Sequence, residues 1–420
     1  MLGSYRVLEN RKTRGGKEYK LMFDDDKFKK PLRVAHIKSP FLPFSETFIY
    51  NYVSHLQRYT PIVITEYQIN HNLFPVENII SHRSGNGRYE QGLAVFRSLL
   101  AGRIQRELFM GRFYKKALKE SVADVVHIHF GVPGLMLRHI THRLKLPVLV
   151  SFYGYDLSQT PQLLGEDVYK RNGLFENGQI FTAEGNCARQ RLIELGCPEN
   201  KAYLLRIGID LKKNTFKPRK LLGTHETPKI LFCGRFVEKK GLLYAIRAVG
   251  KVKDSGHNFS FDILGDGPQR KAAEQLVSDL QLGSFVRFHG IVSYEEFIRH
   301  CYNCHVFLAP SVTAQVTRET EGGAPTVLLE AQSTGMPVVA TYHADIPEVV
   351  LDGKSGFLVP ERDTDLLAKA ITTLLRHPEH WHEMGEHGRR HIEQQHDNQK
   401  VIQNLESLYD LARETQFHIK

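Results

Sequence analysis

The stretch "HVFLAPSVTAQVTRETEGGAPTVLLEA", residues 305–331, decides the fold. It begins with a short apolar run, continues as a polar loop, and ends in a segment of helical composition that starts at Pro325. This order predicts a buried β-strand that leads into a helix, and proline suits the first position of a helix. Because ligands bind beyond the carboxyl ends of strands in open parallel sheets, we expect the loop to belong to a binding site.

Strand and helix patterns alternate on both sides of this stretch. Six apolar runs precede residue 210, and six follow residue 228: "RVAHIKS", "PIVITEY", "DVVHIHF", "PVLVSFY", "GQIFTAE" and "AYLLRIG", then "KILFCGRF", "FSFDILGDG", "FVRFHG", "CHVFLAPS", "MPVVAT" and "GFLVP". The polar segment 211–228 between them is typical of an interdomain linker. The pattern predicts an α/β protein with two consecutive doubly wound, Rossmann-like domains.

The predicted boundaries divide the chain into four segments. Residues 1–32 form a basic N-terminal extension, residues 33–215 the first Rossmann-like domain, and residues 228–395 the second. Residues 396–420 contain a final amphipathic helix, which we expect to pack back on the first domain.

Composition favours a cytoplasmic globular enzyme. The chain has 420 residues, of which 41% are apolar and 24% charged, and these values are ordinary for such proteins. It contains no run of 18 apolar residues and no signal-peptide pattern. Its five scattered cysteines fit a reducing compartment better than a disulfide framework.

A formal net charge of +10 predicts an acidic partner, such as a phosphorylated substrate, an anionic membrane surface or a nucleic acid. Much of this charge lies in residues 96–120, where leucine, isoleucine and phenylalanine recur at helical spacing among arginines and lysines. Such a helix can lie on anionic lipid at the inner membrane face. It can equally dock its apolar stripe on its own domain, and the sequence leaves both interpretations open.

Two cations follow the first strand of the second domain. Arg235 comes directly after "KILFCG", and Lys240 precedes Gly241, where a helix begins. Cations and free amide groups at a helix start suit a diphosphate. The alternative is that both side chains are solvated surface residues.

The loop of the opening stretch carries two glutamates. Glu321 lies in the loop, where its carboxylate can accept hydrogen bonds from two hydroxyls, and Glu330 lies over a helical turn further along. The amides of Thr326, Val327 and Leu328 are expected to be unpaired at the helix start. Together these groups predict a clamp for a polyol diphosphate.

The motifs occur in the order found in one known family. The chain resembles the retaining glycosyltransferases of family 4, which have the GT-B fold, and "SETFI" and "SFYGYD" resemble the branch that makes colanic acid and exopolysaccharides. The matching motifs are the paired glutamates, "GR…EKKG" (234–241), "LGDGP" (264–268), "RIGID" (206–210), "FLPFSETFI" (41–49) and "VHIHFG" (126–131).

The resemblance implies a role for each matching residue. Arg235 and Lys240 bind the diphosphate of a nucleotide sugar in the second domain, and Glu330 binds its ribose. His129 faces the transferred sugar and takes part in catalysis with Glu321. The remaining assignments concern backbone or the acceptor side: Gly322, Gly323, Ala324, Pro325 and Thr326 hold the sugar, Gly290 and Ile291 lie beside the base, and Ser45, Glu46 and Thr47 face the acceptor in the first domain.

The sequence departs from the family pattern at two places. Eight residues separate Glu321 from Glu330, whereas the family has seven, so we expect a glycine at 322 or 323 to loop out. Glu319 is the alternative first glutamate. Tyr153 stands where the family often has histidine, and no role is carried onto it.

The implied activity is transfer of a hexose from a nucleotide diphosphate sugar to a lipid-linked saccharide, with retention at the anomeric carbon and without metal or cofactor. Two other classes of protein share some of these features. An NAD-dependent oxidoreductase should show a complete GxGxxG, and "LGDGP" lacks the third glycine. A nucleic-acid-binding protein is favoured by net charge alone, so no nucleic-acid partner is expected.

Overall fold

The computed structural model describes residues 31–83, 103–220, 223 and 226–417. Within these ranges the strands form two separate, entirely parallel sheets, one of seven strands and one of six. We call residues 31–204 the N-terminal half and residues 229–395 the C-terminal half. The predicted α/β fold with two doubly wound sheets is confirmed.

The strand order in each sheet reverses next to its first strand. The order is β3-β2-β1-β4-β5-β6-β7 in the first sheet and β10-β9-β8-β11-β12-β13 in the second. The strands are β1 Leu32–Ile37, β2 Tyr59–Tyr67, β3 Ile79–Arg83, β4 Val125–His129, β5 Val148–Ser151, β6 Ile180–Ala183, β7 Ala202–Leu204, β8 Lys229–Cys233, β9 Ser260–Leu264, β10 Val286–Gly290, β11 Val306–Ala309, β12 Val338–Thr341 and β13 Gly356–Val359. Ligands of such sheets bind where the order reverses.

Helices connect the strands and cover the sheets. They are α1 Thr47–Ser54, α2 Arg103–Ser121, α3 Gly131–Arg143, α4 Gly154–Leu157, α5 Gln159–Leu164, α6 Val168–Arg171, α7 Leu174–Asn177, α8 Asn186–Glu194, α9 Leu242–Asp254, α10 Arg270–Asp279, α11 Tyr294–Asn303, α12 Thr326–Ser333, α13 Thr364–Arg376, α14 Trp381–Gln395 and α15 Asn398–Phe417. Because helices lie on the sheet faces, central strands such as β4, β11 and β12 are buried along their whole length.

Two expectations about single elements were wrong. Strand β3 was missed, because "IISHR" is short and half polar. Pro325 is not the first helical residue: its backbone is extended in ψ, at 129°, and α12 begins at Thr326. Proline therefore caps this helix from outside its first turn.

The last helix, α15, lies against the N-terminal half. Glu406 accepts hydrogen bonds from the backbone amides of Gln57 and Arg58, at 2.7 and 2.6 Å. Asp410 accepts a 2.6 Å hydrogen bond from the hydroxyl of Tyr59. The chain thus leaves the C-terminal half after α14 and returns to the first sheet.

The basic helix docks part of its apolar side on its own half. Residues 96–102 lie outside the described ranges, and α2 begins at Arg103. Tyr114, Ala117 and Leu118 are buried in the core beneath the first sheet. This packing supports the docking interpretation for the second part of α2, and contact with lipid stays a prediction. None of the described helices combines the length and the apolar character needed to span a membrane.

Candidate active site

The carboxyl ends of both sheets face one cleft, and the two halves touch across it. The loop that follows β11 reaches the start of α4 in the N-terminal half. A Cβ atom at Gly154 would lie 2.2 Å from the carbonyl oxygen of Glu321, and one at Gly322 would lie 2.1 Å from the Cα of Gly154. Only glycines permit this approach. The loop between β11 and α12, which we expect to hold the sugar and call the sugar loop, therefore packs directly against the N-terminal half.

Glu321 and Lys240 meet in this cleft. The Lys240 Nζ lies 2.8 Å from Glu321 Oε2, and the Ser311 hydroxyl donates to Glu321 Oε1 at 2.7 Å. Burial alone would raise the pKa of the Glu321 carboxyl, but the ammonium groups of Lys240 and Lys239 outweigh it and lower that pKa to about 2. Glu321 is therefore a fixed anion at neutral pH.

His343 holds the backbone of the same loop. Its Nε2 accepts the amide proton of Glu321 at 3.0 Å, while Nδ1 lies 2.7 Å from Glu361 Oε1. These partners imply that Nδ1 carries the proton, because the backbone amide can only donate. Residues at the ends of β12 and β13 thus fix where Glu321 sits. Sequence reasoning missed them, since their role depends on strand order.

Glu319 has different partners. Its carboxylate lies 2.6 Å from Lys239 Nζ and accepts a 3.2 Å hydrogen bond from the side chain of Gln159. Lys239 also donates to the carbonyl oxygen of Thr320 at 3.0 Å. In this arrangement Glu321, rather than Glu319, faces Lys240, and the choice of first glutamate remains a prediction.

The two glycines after Glu321 serve two purposes. Gly322 has φ of +84°, in the left-handed region that favours glycine. Gly323 lies against Glu184, since a Cβ there would be 2.2 Å from its carboxylate. Glu184 follows β6, and burial raises its pKa to about 8, with Asp345 and Glu321 adding to the effect. It was not anticipated from the sequence.

Glu330 lies on α12 with 8% of its surface exposed. Burial raises the pKa of its carboxyl to about 8, and no charged group among the described residues offsets this. Next to it, one expectation was wrong: the Leu328 amide is not unpaired but donates to the Pro325 carbonyl at 2.9 Å. A buried carboxyl without a charged partner can accept hydroxyl donors from a ligand.

Arg235 is exposed at the cleft and acts electrostatically on Glu46 of the first loop. Glu46 lies 2.8 Å from the Nζ of Lys38, which also sits 4.8 Å from the ring centre of Phe130. Thr47 begins α1, and the side chain of Ser45 lies outside the described part of the chain. The structure thus links Glu46 to the cleft.

His129 is completely buried, and both of its ring nitrogens have partners. Nε2 lies 3.1 Å from Nδ1 of His36, and Nδ1 lies 2.9 Å from the hydroxyl of Tyr153. None of the described hydrogen bonds of its side chain joins it to Glu321 or Lys240. A direct role of this imidazole at the sugar stays a prediction.

The network of hydrogen bonds continues from His36 to Tyr409, a residue of the last helix. The Tyr409 hydroxyl lies 3.4 Å from Nε2 of His36 and 2.7 Å from Nδ1 of His127, whose Nε2 lies 2.7 Å from Ser151. Burial lowers the pKa of His36 to about 3 and holds that of His127 well below its usual value. The three imidazoles are therefore neutral. Their side chains share one face because His36 pairs in register with His127.

Gly290 and Ile291 form an open turn at the end of β10. Gly290 has φ of +75°, and Ile291 is 81% exposed. The surface beside this turn is accessible, as the predicted contact with a base requires.

The two-sheet architecture with a cleft between the carboxyl ends is that of the GT-B fold, and solved structures confirm this fold. The chain superimposes on Anabaena HepE in complex with UDP-glucose with a TM-score of 0.70 and 17% identity, over 90% of this chain and 99% of that one. For sucrose-phosphate synthase from Thermosynechococcus elongatus the TM-score is 0.69 at 17% identity, over 93% and 100%. At such identities the likeness establishes the fold alone.

Residues 213–391 match the family model "Glycosyl transferases group 1". This segment, somewhat less than half of the chain, is therefore similar to the glycosyl transferases group 1 domain. It is 32% identical over 276 residues to a putative colanic acid biosynthesis glycosyltransferase, WcaL, of Salmonella typhimurium, covering 64% of this chain and 66% of the relative. It is also 32% identical over 258 residues to the amylovoran biosynthesis glycosyltransferase AmsK of Erwinia amylovora, covering 61% and 62%. These matches span slightly less than two thirds of each relative.

Proposed function

We propose that the chain transfers a hexose from a nucleotide diphosphate sugar to a saccharide acceptor, with retention at the anomeric carbon. The observation that carries this proposal is the pairing of Lys240 with Glu321, 2.8 Å apart in the cleft, with the buried Glu330 on the helix that follows. One carboxylate can take hydroxyls of the sugar and the other those of the ribose. The domain family and the names of the relatives support a transferase.

The diphosphate would lie at the start of α9. Lys240 supplies an ammonium group there, Arg235 is exposed at the same strand end, and helix α9 begins directly after Gly241. Donors of this kind stabilise the negative charge that develops on a departing diphosphate. HepE was crystallised with UDP-glucose on the same fold, which supports a nucleotide sugar as donor.

Positive charge at this site comes from side chains, so the proposed reaction uses neither a metal nor a cofactor. The ammonium group of Lys240 offsets the negative charge of the leaving diphosphate. Glu321, which is ionised, orients the sugar by accepting hydrogen bonds from its hydroxyls. The leaving phosphate takes the proton of the attacking acceptor hydroxyl on the same face of the sugar. This path keeps the anomeric configuration without a covalent intermediate on the protein.

The acceptor would be a lipid-linked saccharide of a cell-surface polysaccharide, handled at the cytoplasmic membrane face. The names of the relatives, which refer to colanic acid and amylovoran, support this class of product. The loop of Ser45, Glu46 and Thr47 would lie on the acceptor side, since Arg235 of the other half is near enough to act electrostatically on Glu46.

A thermal-shift screen of UDP-, GDP- and ADP-sugars tests the proposal. We expect one nucleotide family to raise the melting temperature, and both Arg235→Ala and Lys240→Ala to weaken its binding by about 1.5–3 kcal/mol, the value of a charge-assisted hydrogen bond. Lys271→Ala, at an exposed lysine on α10, is the matched control. Stabilisation by NAD or an oligonucleotide, with no response to any nucleotide sugar, would contradict the proposal.

A further inference from the structure

The start of helix α8 is capped by carboxylates from the other half of the molecule. The amides of Cys187 and Ala188 donate to Asp345 at 2.7 and 3.3 Å, and the amide of Asn186 donates to Glu348 at 2.7 Å. Helices are normally capped by the side chain that precedes them, because their first amides lack partners inside the helix. Here the three bonds cross from the N-terminal half to the C-terminal half.

Gly185, just before α8, leaves room for this contact. A Cβ at Gly185 would lie 2.2 Å from Cγ of Asp345. The backbone of Gly185 is extended, with φ of −152°, and any residue can adopt that conformation. The glycine is therefore needed for space and not for backbone freedom.

Glu348 ties a second element of the N-terminal half to the same place. Its Oε2 lies 3.0 Å from a guanidinium nitrogen of Arg206, which follows β7, while Oε1 takes the Asn186 amide. Asp345 and Glu348 follow β12. One turn of the C-terminal half therefore binds both α8 and the segment after β7.

The contacts of Asp345 and Glu348 with the N-terminal half also bear on the position of the sugar loop. A second close contact between the halves, from Gly154 to Glu321 and Gly322, lies in the same cleft. His343, two residues before Asp345, binds the amide of Glu321 at 3.0 Å. The segment after β12 thus binds both the start of α8, through Asp345, and the sugar loop, through His343.

We propose that Asp345 and Glu348 are positioning residues that keep the two halves closed by capping α8 across the cleft. Closure brings the Glu321–Gly323 loop against the N-terminal half. The effect on catalysis rests on the proposed function, whereas the effect on closure does not.

Two variants break the contact from opposite sides. Asp345→Ala removes the acceptor, and Gly185→Ala inserts a methyl group where the carboxylate lies. The matched controls are Asp363→Ala and Gly283→Ala. Asp363 caps α13 within the C-terminal half, accepting from Asp365 and Leu366 at 3.1 and 2.9 Å, and Gly283 has open space around its Cβ position.

Small-angle scattering and hydrogen exchange of the full chain measure closure directly. We expect both variants to have a larger radius of gyration than wild type, and faster exchange at α8 and also at the Gly154 and Gly322 contact. Asp363→Ala should speed exchange at α13 alone. Wild-type exchange at the Gly154 and Gly322 contact in both variants would overturn the proposal, as would an unchanged radius.

Kinetics separate positioning from loss of fold. We expect kcat to fall at least tenfold in Asp345→Ala, with nucleotide affinity within twofold of wild type, because the proposed nucleotide contacts belong to the C-terminal half. Asp345→Asn, which keeps one acceptor oxygen, should recover part of the rate. If wild type binds no nucleotide, the proposed function fails, and the scattering and exchange results still decide the closure proposal. If wild type binds and transfers but Asp345→Ala is unimpaired, only the positioning role fails.

Discussion

Glu330 is the residue whose protonation should show most clearly in ligand binding. Burial raises its pKa to about 8, and the proposed ribose hydroxyls should bind the ionised carboxylate better, because protonation turns one acceptor oxygen into a donor. A group with a raised pKa is mostly protonated at pH 7 and mostly ionised at pH 9. We therefore expect nucleotide affinity to rise about tenfold over this interval, the change in ionised fraction for a pKa of about 8.

Calorimetric titration of nucleotide at pH 7, 8 and 9 measures this dependence. Glu330→Gln is the control, because it keeps the shape and leaves Lys240 and the phosphates to titrate as before. Its affinity should be lower and nearly independent of pH. A wild-type affinity that falls from pH 7 to pH 9 would show that the protonated carboxyl is the binding form.

Glu321 and Glu330 should separate sugar binding from nucleotide binding. We expect Glu330→Ala to weaken binding of free nucleotide and nucleotide sugar alike. Glu321→Ala should spare free nucleotide but reduce transfer, because its proposed partners are sugar hydroxyls. Deleting Gly323 restores the seven-residue spacing, and activity should largely survive if the glycine loops out.

Glu319→Ala is the matched control for the first glutamate, since Glu319 also pairs with a lysine but with Lys239 instead of Lys240. Transfer and nucleotide affinity are measured on the same samples. The reverse pattern, with Glu319→Ala inactive and Glu321→Ala mild, would show that Glu319 holds the sugar.

At the scale of elements, helix α15 is joined to strands β1 and β4 by one hydroxyl. Tyr409 lies between His36 and His127, and a hydroxyl can donate only one of these two hydrogen bonds. Each neutral imidazole carries one proton. The choice of which histidine receives the Tyr409 proton therefore fixes the protonated nitrogen in His127 and His36, and through His36 also in His129. The last helix therefore takes part in the arrangement of the first sheet.

Tyr409→Phe leaves His127 Nδ1 without its partner in a fully buried place. We expect the free energy of unfolding to fall by about 1–3 kcal/mol, the cost of an unsatisfied buried polar group. Urea denaturation followed by far-UV circular dichroism measures it. Tyr203→Phe is the control, because its hydroxyl bonds to the Asn200 carbonyl at the surface. An equal decrease in the free energy of unfolding in the two variants would mean that the buried hydrogen bonds of Tyr409 add no stability.

Elements with strong apolar runs could be predicted from the sequence, and those set by packing could not. Strands such as β4 and β11 are buried throughout, so their composition alone identifies them. Strand β3 is half polar, and α4 to α7 have four to six residues each, too few for helical periodicity to show. The start of α12 was misplaced by one residue because proline is common on both sides of a helix start.

At the scale of the whole molecule, the sequence predicted which strand ends form the cleft but not how the halves meet. Lys240 and Glu321 were expected in one site, and they lie 2.8 Å apart. The roles of His343 and Asp345 could not be foreseen, because they depend on β12 lying next to β11 and on α8 lying across the cleft. The buried hydrogen bonds of the first sheet also depend on a distant residue, because His127 pairs with Tyr409, 282 positions later in the chain.

The proposed donor site is tested by calorimetric titration, in EDTA, of the full chain with the nucleotide that the screen identifies. We propose that Lys240, Arg235 and Glu330 form this site without a divalent metal. We expect one nucleotide diphosphate to bind per chain in EDTA, with an affinity unchanged by added magnesium and weakened in Lys240→Ala. Binding that appears only when magnesium or manganese is added, or that Lys240→Ala leaves unchanged, would contradict this proposal.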